Sequence, residues 1–223
     1  MASRRWLGAA RHAVSFGVVA ALTAVLAQST TTASFTASTA AGGNAVGAAA
    51  QFCSSPGPMA VTTAVDTTLY QAGANASSNY SANVQIGVSS GNNNNARTLI
   101  KFALPRPSGC VLTSATLSLR ASAPTAGARI EVHLAAAAWD VTTVTWNTRP
   151  GFTGTPATSD SLTAVGVQTW NVTDLVKALL VGPDNGFVIK DSVESATTGR
   201  SNLYDSMDVT TPSYRPVLTL TWD

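Results

Sequence analysis

Ala115-Thr116-Leu117-Ser118-Leu119-Arg120-Ala121 is the stretch that decides the fold. Apolar and polar side chains alternate through it with a period of two, so one face of an extended strand is dry and the other wet. The same alternation recurs where Ile130, Val132 and Leu134 flank Glu131 and His133, and where Leu218, Leu220 and Trp222 flank Thr219 and Thr221. Val84, Ile86 and Val88 share one face of a further strand, as do Ile100, Phe102 and Leu104. Clusters of Gly, Asn, Pro and Ser separate these runs, which is the punctuation of antiparallel β structure. Strands with one dry face need a second sheet to cover it. A single stretch follows the helical period: Val172, Leu175, Val176, Leu179 and Leu180, with Thr173 placed to cap and Gly182-Pro183 to stop it. The expected fold is all-β, a jelly-roll-like antiparallel β-sandwich closed at one end by one short helix. No internal repeat or second domain is visible.

Composition narrows the class further. Only 11% of the 223 residues are charged while 45% are hydrophobic, against a usual charged share of about 25%. Such a chain is neither a charge-solvated disordered tail nor a charged helical array. The formal net charge of +2 depends on Arg4, Arg5 and Arg11; without them ten cations face eleven carboxylates. Nucleic acid is excluded as a partner because no basic footprint remains. Surfaces rich in Thr, Ser and Asn are solvated through hydroxyls and amides, which suits uncharged or weakly charged glycans.

Residues 1–27 read as an export signal: Ser3-Arg4-Arg5 and Arg11 form a positive head, and Ala13 to Ala27 carries no charge. A membrane anchor would need about 20 apolar residues, so the expectation is cleavage near Val25-Leu26-Ala27, leaving no membrane contact. Arg4-Arg5 also admits a twin-arginine export route. Residues 28–57, dominated at first by Ala, Ser, Thr and Gly, read as a linker or pro-region, and residues 58–223 as the folded domain. Cys53 and Cys110 are the two cysteines. In an exported chain an even count favours a disulfide; the competing reading, a nucleophilic or metal-binding thiol, has one histidine, His133, to work with after the signal.

Catalytic chemistry has few residues to draw on. Beyond the signal the chain holds one histidine, two glutamates (Glu131 and Glu194) and nine aspartates scattered among loops. Glycoside hydrolysis needs two facing carboxylates, one with a raised pKa, and Asp205 and Asp208 are the pair nearest in sequence. Alternation places His133 on the wet face of its strand, away from the role a Ser-His-Asp triad would require. Binding asks for less: aromatic planes that stack on sugar rings, with hydrogen-bonding groups around them. Trp139, Trp146 and Trp170 have apolar residues nearby in Val141, Val144 and Val172 and read as core. Tyr80 lies between Asn79 and Ser81, and Tyr204 beside Asn202 and Asp205, in polar surroundings. Asp66 and Asp184, the latter next to Asn185, carry oxygen ligands of a type calcium accepts.

Several ordered motifs resemble the DNRLRE-domain family, secreted β-sandwich modules grouped with carbohydrate-binding modules. They are Val65-Asp66-Thr67-Thr68-Leu69, Ser78-Asn79-Tyr80-Ser81, Arg97-Thr98-Leu99-Ile100-Lys101-Phe102-Ala103-Leu104-Pro105, Cys110 with Thr113 to Leu119, Val144-Thr145-Trp146-Asn147-Thr148-Arg149-Pro150, and Trp170-Asn171-Val172-Thr173-Asp174. Met207 stands where the family commonly shows an arginine, and Leu180 where an aromatic often ends the helix. Upstream, Ala33-Ser34-Phe35-Thr36-Ala37-Ser38-Thr39 with Gly43-Asn44 resembles the start of SipW-dependent matrix precursors. The resemblance implies a secreted, non-catalytic module that binds polysaccharide outside the cell or in its wall. Tyr80, Asn79, Tyr204, Asn202 and Arg97 are its candidate carbohydrate-binding residues. The competing class is a structural protein of the cell surface or matrix that self-associates.

Overall fold

The structure, a computed structural model, describes residues 52–223. The expected signal segment, most of the linker and the SipW-like stretch lie outside the described residues. Among the described residues eleven strands and one α-helix follow in order: β1 (Gly57–Val61), β2 (Ala64–Tyr70), β3 (Gln85–Ser90), β4 (Ala96–Phe102), β5 (Leu112–Ala123), β6 (Arg129–Ala135), β7 (Phe152–Asp160), β8 (Gly166–Asn171), α1 (Thr173–Val181), β9 (Phe187–Asp191), β10 (Arg200–Asp205) and β11 (Val217–Trp222). All the strand pairings are antiparallel. They run β1-β11-β5-β10-β3-β4-β9-β6-β7, with β2 added to β4 and β8 to β5. This one sheet curls until its inner faces meet, giving the all-β, sandwich-like fold that the alternation requires.

Register explains the core. Leu117 of β5 lies opposite Leu218 of β11 on one side and Trp170 of β8 on the other, so three large side chains enter the interior in one row. From across the sandwich Ile100, Phe187, Ile130, Val132 and Ile189 join the same buried cluster. Val84 departs from the expected pattern: it precedes β3 and is exposed, leaving Ile86 and Val88 to supply the buried face.

Helix α1 buries Leu175, Val176 and Leu179, as its period predicts, and ends where the Gly182 N–H bonds the Ala178 carbonyl. Thr173 does not act as a side-chain N-cap. Its hydroxyl instead donates to Asn171 Oδ1 at 2.7 Å and accepts the Ala115 N–H at 2.9 Å, pinning the start of the helix to β5. Cys53 and Cys110 form a disulfide that ties the segment before β1 to the β4–β5 connection.

Candidate functional site

The outward face of β4, β9 and β6 departs most from the expected division into dry and wet sides. Register sets Lys190 opposite Glu131, and Val188 opposite His133. Alternation alone puts Glu131 and His133 in solvent. The connection between β6 and β7, residues 136–151, instead folds back over this face and seats Val144 and Trp146 against Leu69, Leu99, Ala135 and Val188. His133 is therefore buried, contrary to the sequence expectation.

Hydrogen bonds from distant segments hold that covering loop. Asn79 Nδ2 donates to the carbonyls of Val141 and Val144 at 2.8 and 2.9 Å. The Asn147 amide N–H reaches the Ala76 carbonyl, and its side chain reaches Ser77. The Trp139 indole N–H donates to the Asn185 carbonyl at 2.7 Å. Asn79 thus braces the loop with both donors of its amide. Tyr80 is half-buried, with its ring edge-on to Tyr70 at 4.8 Å.

The loop creates an aromatic and cationic cluster. The Arg97 guanidinium lies 5.1 Å from the ring centroids of both Trp146 and Phe152, within cation–π range. It makes a two-pronged ion pair with Glu194 at 2.6 and 2.7 Å. Arg149 stacks 4.0 Å above Trp146 and donates to the Trp146 carbonyl. Lys190 Nζ lies 5.6 Å from the Phe152 centroid and 3.2 Å from Glu131 Oε2. His133 contacts the same carboxylate oxygen at 3.0 Å, and its ring packs on Phe152 at 4.6 Å. Burial opposes ionisation of Glu131, but the hydrogen bonds from His133 and Lys190 outweigh it and hold the carboxyl below its usual range. A glycosidic general acid needs the opposite shift. Asn95 supports the Glu194 side by accepting the Ser195 N–H at 2.7 Å.

Phe152 is 39% exposed and brings the cluster to the surface. It offers a ring surrounded by guanidinium and carboxylate groups on a rigid sheet. That combination fits the C–H face of a sugar ring together with its hydroxyls. Of the residues expected from sequence, the structure gathers Arg97 into this cluster and places Asn79 behind it.

Tyr204 and Asn202 correct the sequence reading. Tyr204 is 0% exposed; its ring meets Trp170 edge-on and its hydroxyl donates to Gln168 Oε1 at 2.8 Å. Burial raises its pKa above the ordinary tyrosine value. Asn202 is also buried, and its Oδ1 accepts the Thr125 N–H. Both belong to β10, which is flanked by β3 and β5, so no saccharide stacks on Tyr204. Tyr204→Phe is expected to destabilise the fold by about 1–3 kcal/mol, because Gln168 Oε1 loses its buried donor. Denaturant unfolding measures that cost.

The calcium candidates do not converge. Among the described residues no three His, Cys, Asp or Glu side chains form a cluster suited to a metal. Asp66 is buried, accepts the Met207 N–H at 2.9 Å, and has its pKa raised to about 7, mainly by desolvation. A carboxyl that holds its proton this strongly is a poor calcium ligand. Asp184 is half-buried and accepts the Gly186 N–H. Asp205 pairs with Arg120 at 2.5 Å, so it is not free to face Asp208 as half of a catalytic carboxylate pair.

Trp146, Arg149, Phe152, Lys190 and Glu194 are not legible as site residues in the sequence. Val144, two positions before Trp146, points to core, and the one visible hint is the short Trp146–Arg149 spacing in an irregular segment.

A rigid antiparallel sandwich with an aromatic–cationic surface on one sheet has the build of a carbohydrate-binding module. Residues 58–221 match the family model described as carbohydrate-binding module family 96, and the chain belongs to that family. Among curated proteins nothing matches the chain.

Proposed function

We propose that this chain is a secreted, non-catalytic module that binds extracellular or cell-wall polysaccharide through the surface around Phe152, Arg97 and Arg149. The family match over residues 58–221 carries the reading. The disulfide supports export, since such bridges persist in oxidising compartments. Among the described residues no helix is long and apolar enough to cross a membrane. The ordered motifs shared with DNRLRE-domain modules point the same way. Ion pairing of Glu194 with Arg97, and of Glu131 with Lys190, suits positioning better than proton transfer.

Affinity electrophoresis of the purified chain against a panel of acidic and neutral polysaccharides tests the proposal. Retardation by at least one glycan is the expected result. No retardation by any of them, together with concentration-dependent assembly in sedimentation, would replace it with the self-associating structural role. Phe152→Ala should weaken binding by about two- to thirteenfold, the range expected for one lost aromatic contact of about 0.5–1.5 kcal/mol. Phe152 lies at the exposed edge of the sheet, so the variant's unfolding transition should stay close to the parent's. Unchanged affinity in this variant would move the binding surface elsewhere.

A further inference from the structure

A second cleft lies apart from the aromatic–cationic cluster, between the end of α1, the disulfide and the last strand. It has a volume of about 450 Å3, within the usual range for small-molecule sites. Its walls are Val111, Leu112, Leu180 and Val181, with the Cys110 half of the disulfide at one side. Val111 and Val181 are 67% and 90% exposed, so the apolar walls of the cleft are open to solvent.

The polar lining is of one kind. Arg106, Lys177 and Trp222 are the lining side chains with N–H groups, and no lining side chain is an oxygen acceptor. The nearby helix-end carbonyls of Leu179 and Leu180 already accept from Arg106. Trp222 is 3% exposed and its indole Nε1 has no hydrogen-bond partner among the described residues. A buried indole N–H left unpaired costs free energy that an incoming acceptor recovers. A ligand matching these walls presents acceptors to the donors and hydrocarbon to the rest. Two of the three donors are cationic, so the matching acceptor is anionic.

We propose that this cleft binds a free long-chain carboxylate, its head at Lys177 and Arg106 and its chain along Val111, Leu112, Leu180 and Val181. The site is independent of the polysaccharide surface, so each stands or falls without the other.

The test is titration of the purified chain with dodecanoate below its micellar concentration, followed through the 15N-labelled indole resonance of Trp222. Trp222→Phe assigns that resonance. Dodecanoate should shift it saturably, whereas butyrate, which has the head without the chain, and dodecyltrimethylammonium, which has the chain with the opposite charge, should not. Lys177→Glu and Val181→Asp alter exposed positions and are each expected to weaken dodecanoate binding by about tenfold or more while leaving polysaccharide retardation intact. No saturable shift, an equal response to the cationic amphiphile, or undiminished binding in both variants would overturn the proposal.

Discussion

Between pH 4 and pH 7 the parent chain is expected to lose up to about 4 kcal/mol of stability that the Asp66→Asn variant keeps. Asp66 lies opposite Ile100 in the β2–β4 pairing and shares its inward face. It is 3% exposed, and among the described residues its carboxylate accepts a single hydrogen bond, from the Met207 N–H. Desolvation, with a smaller push from the Asp208 charge, moves its pKa from 3.8 to about 7. Every tenfold gain in proton affinity on folding corresponds to about 1.4 kcal/mol, and the whole rise sets the upper bound. The unfolded chain releases this proton near pH 3.8 while the folded chain keeps it to about pH 7. Stability therefore falls as pH rises through that window and levels off above it. Glu131 has the opposite sign: its lowered pKa contributes stability above its unfolded value of 4.5 that disappears as pH falls. The difference between parent and variant cancels Glu131 and isolates Asp66. Asparagine keeps an acceptor for Met207 and has no charge to desolvate. Urea unfolding at successive pH values across the window measures both profiles, and parallel curves would refute the assignment.

The same residue shows what a sequence hides. Asp66 reads as a candidate metal ligand because an aspartate near a strand is ordinarily solvated. Its hydrogen-bond donor, the Met207 N–H, and the neighbouring charge of Asp208 come from more than a hundred residues away. The strands themselves are legible, because a period of two is a local property and Leu117 meets Leu218 and Trp170 as the alternation demands. Tyr204 and Asn202 mislead for a related reason. Their polar neighbours suggest a loop, yet Asp205 pairs with Arg120 and Ser206 donates to the Asn83 carbonyl. Polarity that looks like exposure is there satisfied across the sheet. His133 is the converse: its strand does alternate, but residues 136–151 cover the face that alternation leaves open. The candidate site is made by that covering loop. Arg97 acquires Trp146 and Phe152 from one stretch and Glu194 from another, and no short window of sequence contains all four.

Breaking the Cys53–Cys110 bridge is expected to destabilise the chain by about 4 kcal/mol, the chain-entropy estimate for a loop of this size. The cysteines are 57 residues apart, so the bridge restricts a large share of the unfolded chain. Native contacts around it show where the loss should appear first. β1 is an edge strand that pairs with β11 alone, through Gly57 opposite Trp222 to Val61 opposite Leu218. The segment before it is tied down near the bridge by the Ser54 N–H to the Ser108 carbonyl. Both cysteines also pack against the main core. Without the bridge, β1 should detach ahead of global unfolding and leave the edge of β11 open to pairing with another chain. Denaturation of the Cys53→Ser, Cys110→Ser double variant should give a midpoint shift equivalent to about 4 kcal/mol. Hydrogen exchange should lose protection in β1 and β11 while β4, β6 and β9 keep theirs until the global transition. A loss below about 1 kcal/mol, or exchange that rises uniformly, would contradict the view that the bridge secures this edge. Retention of the aromatic–cationic surface in the same variant follows from geometry. Arg97, Trp146 and Phe152 belong to β4, the β6–β7 loop and β7, which take no hydrogen bonds from β1.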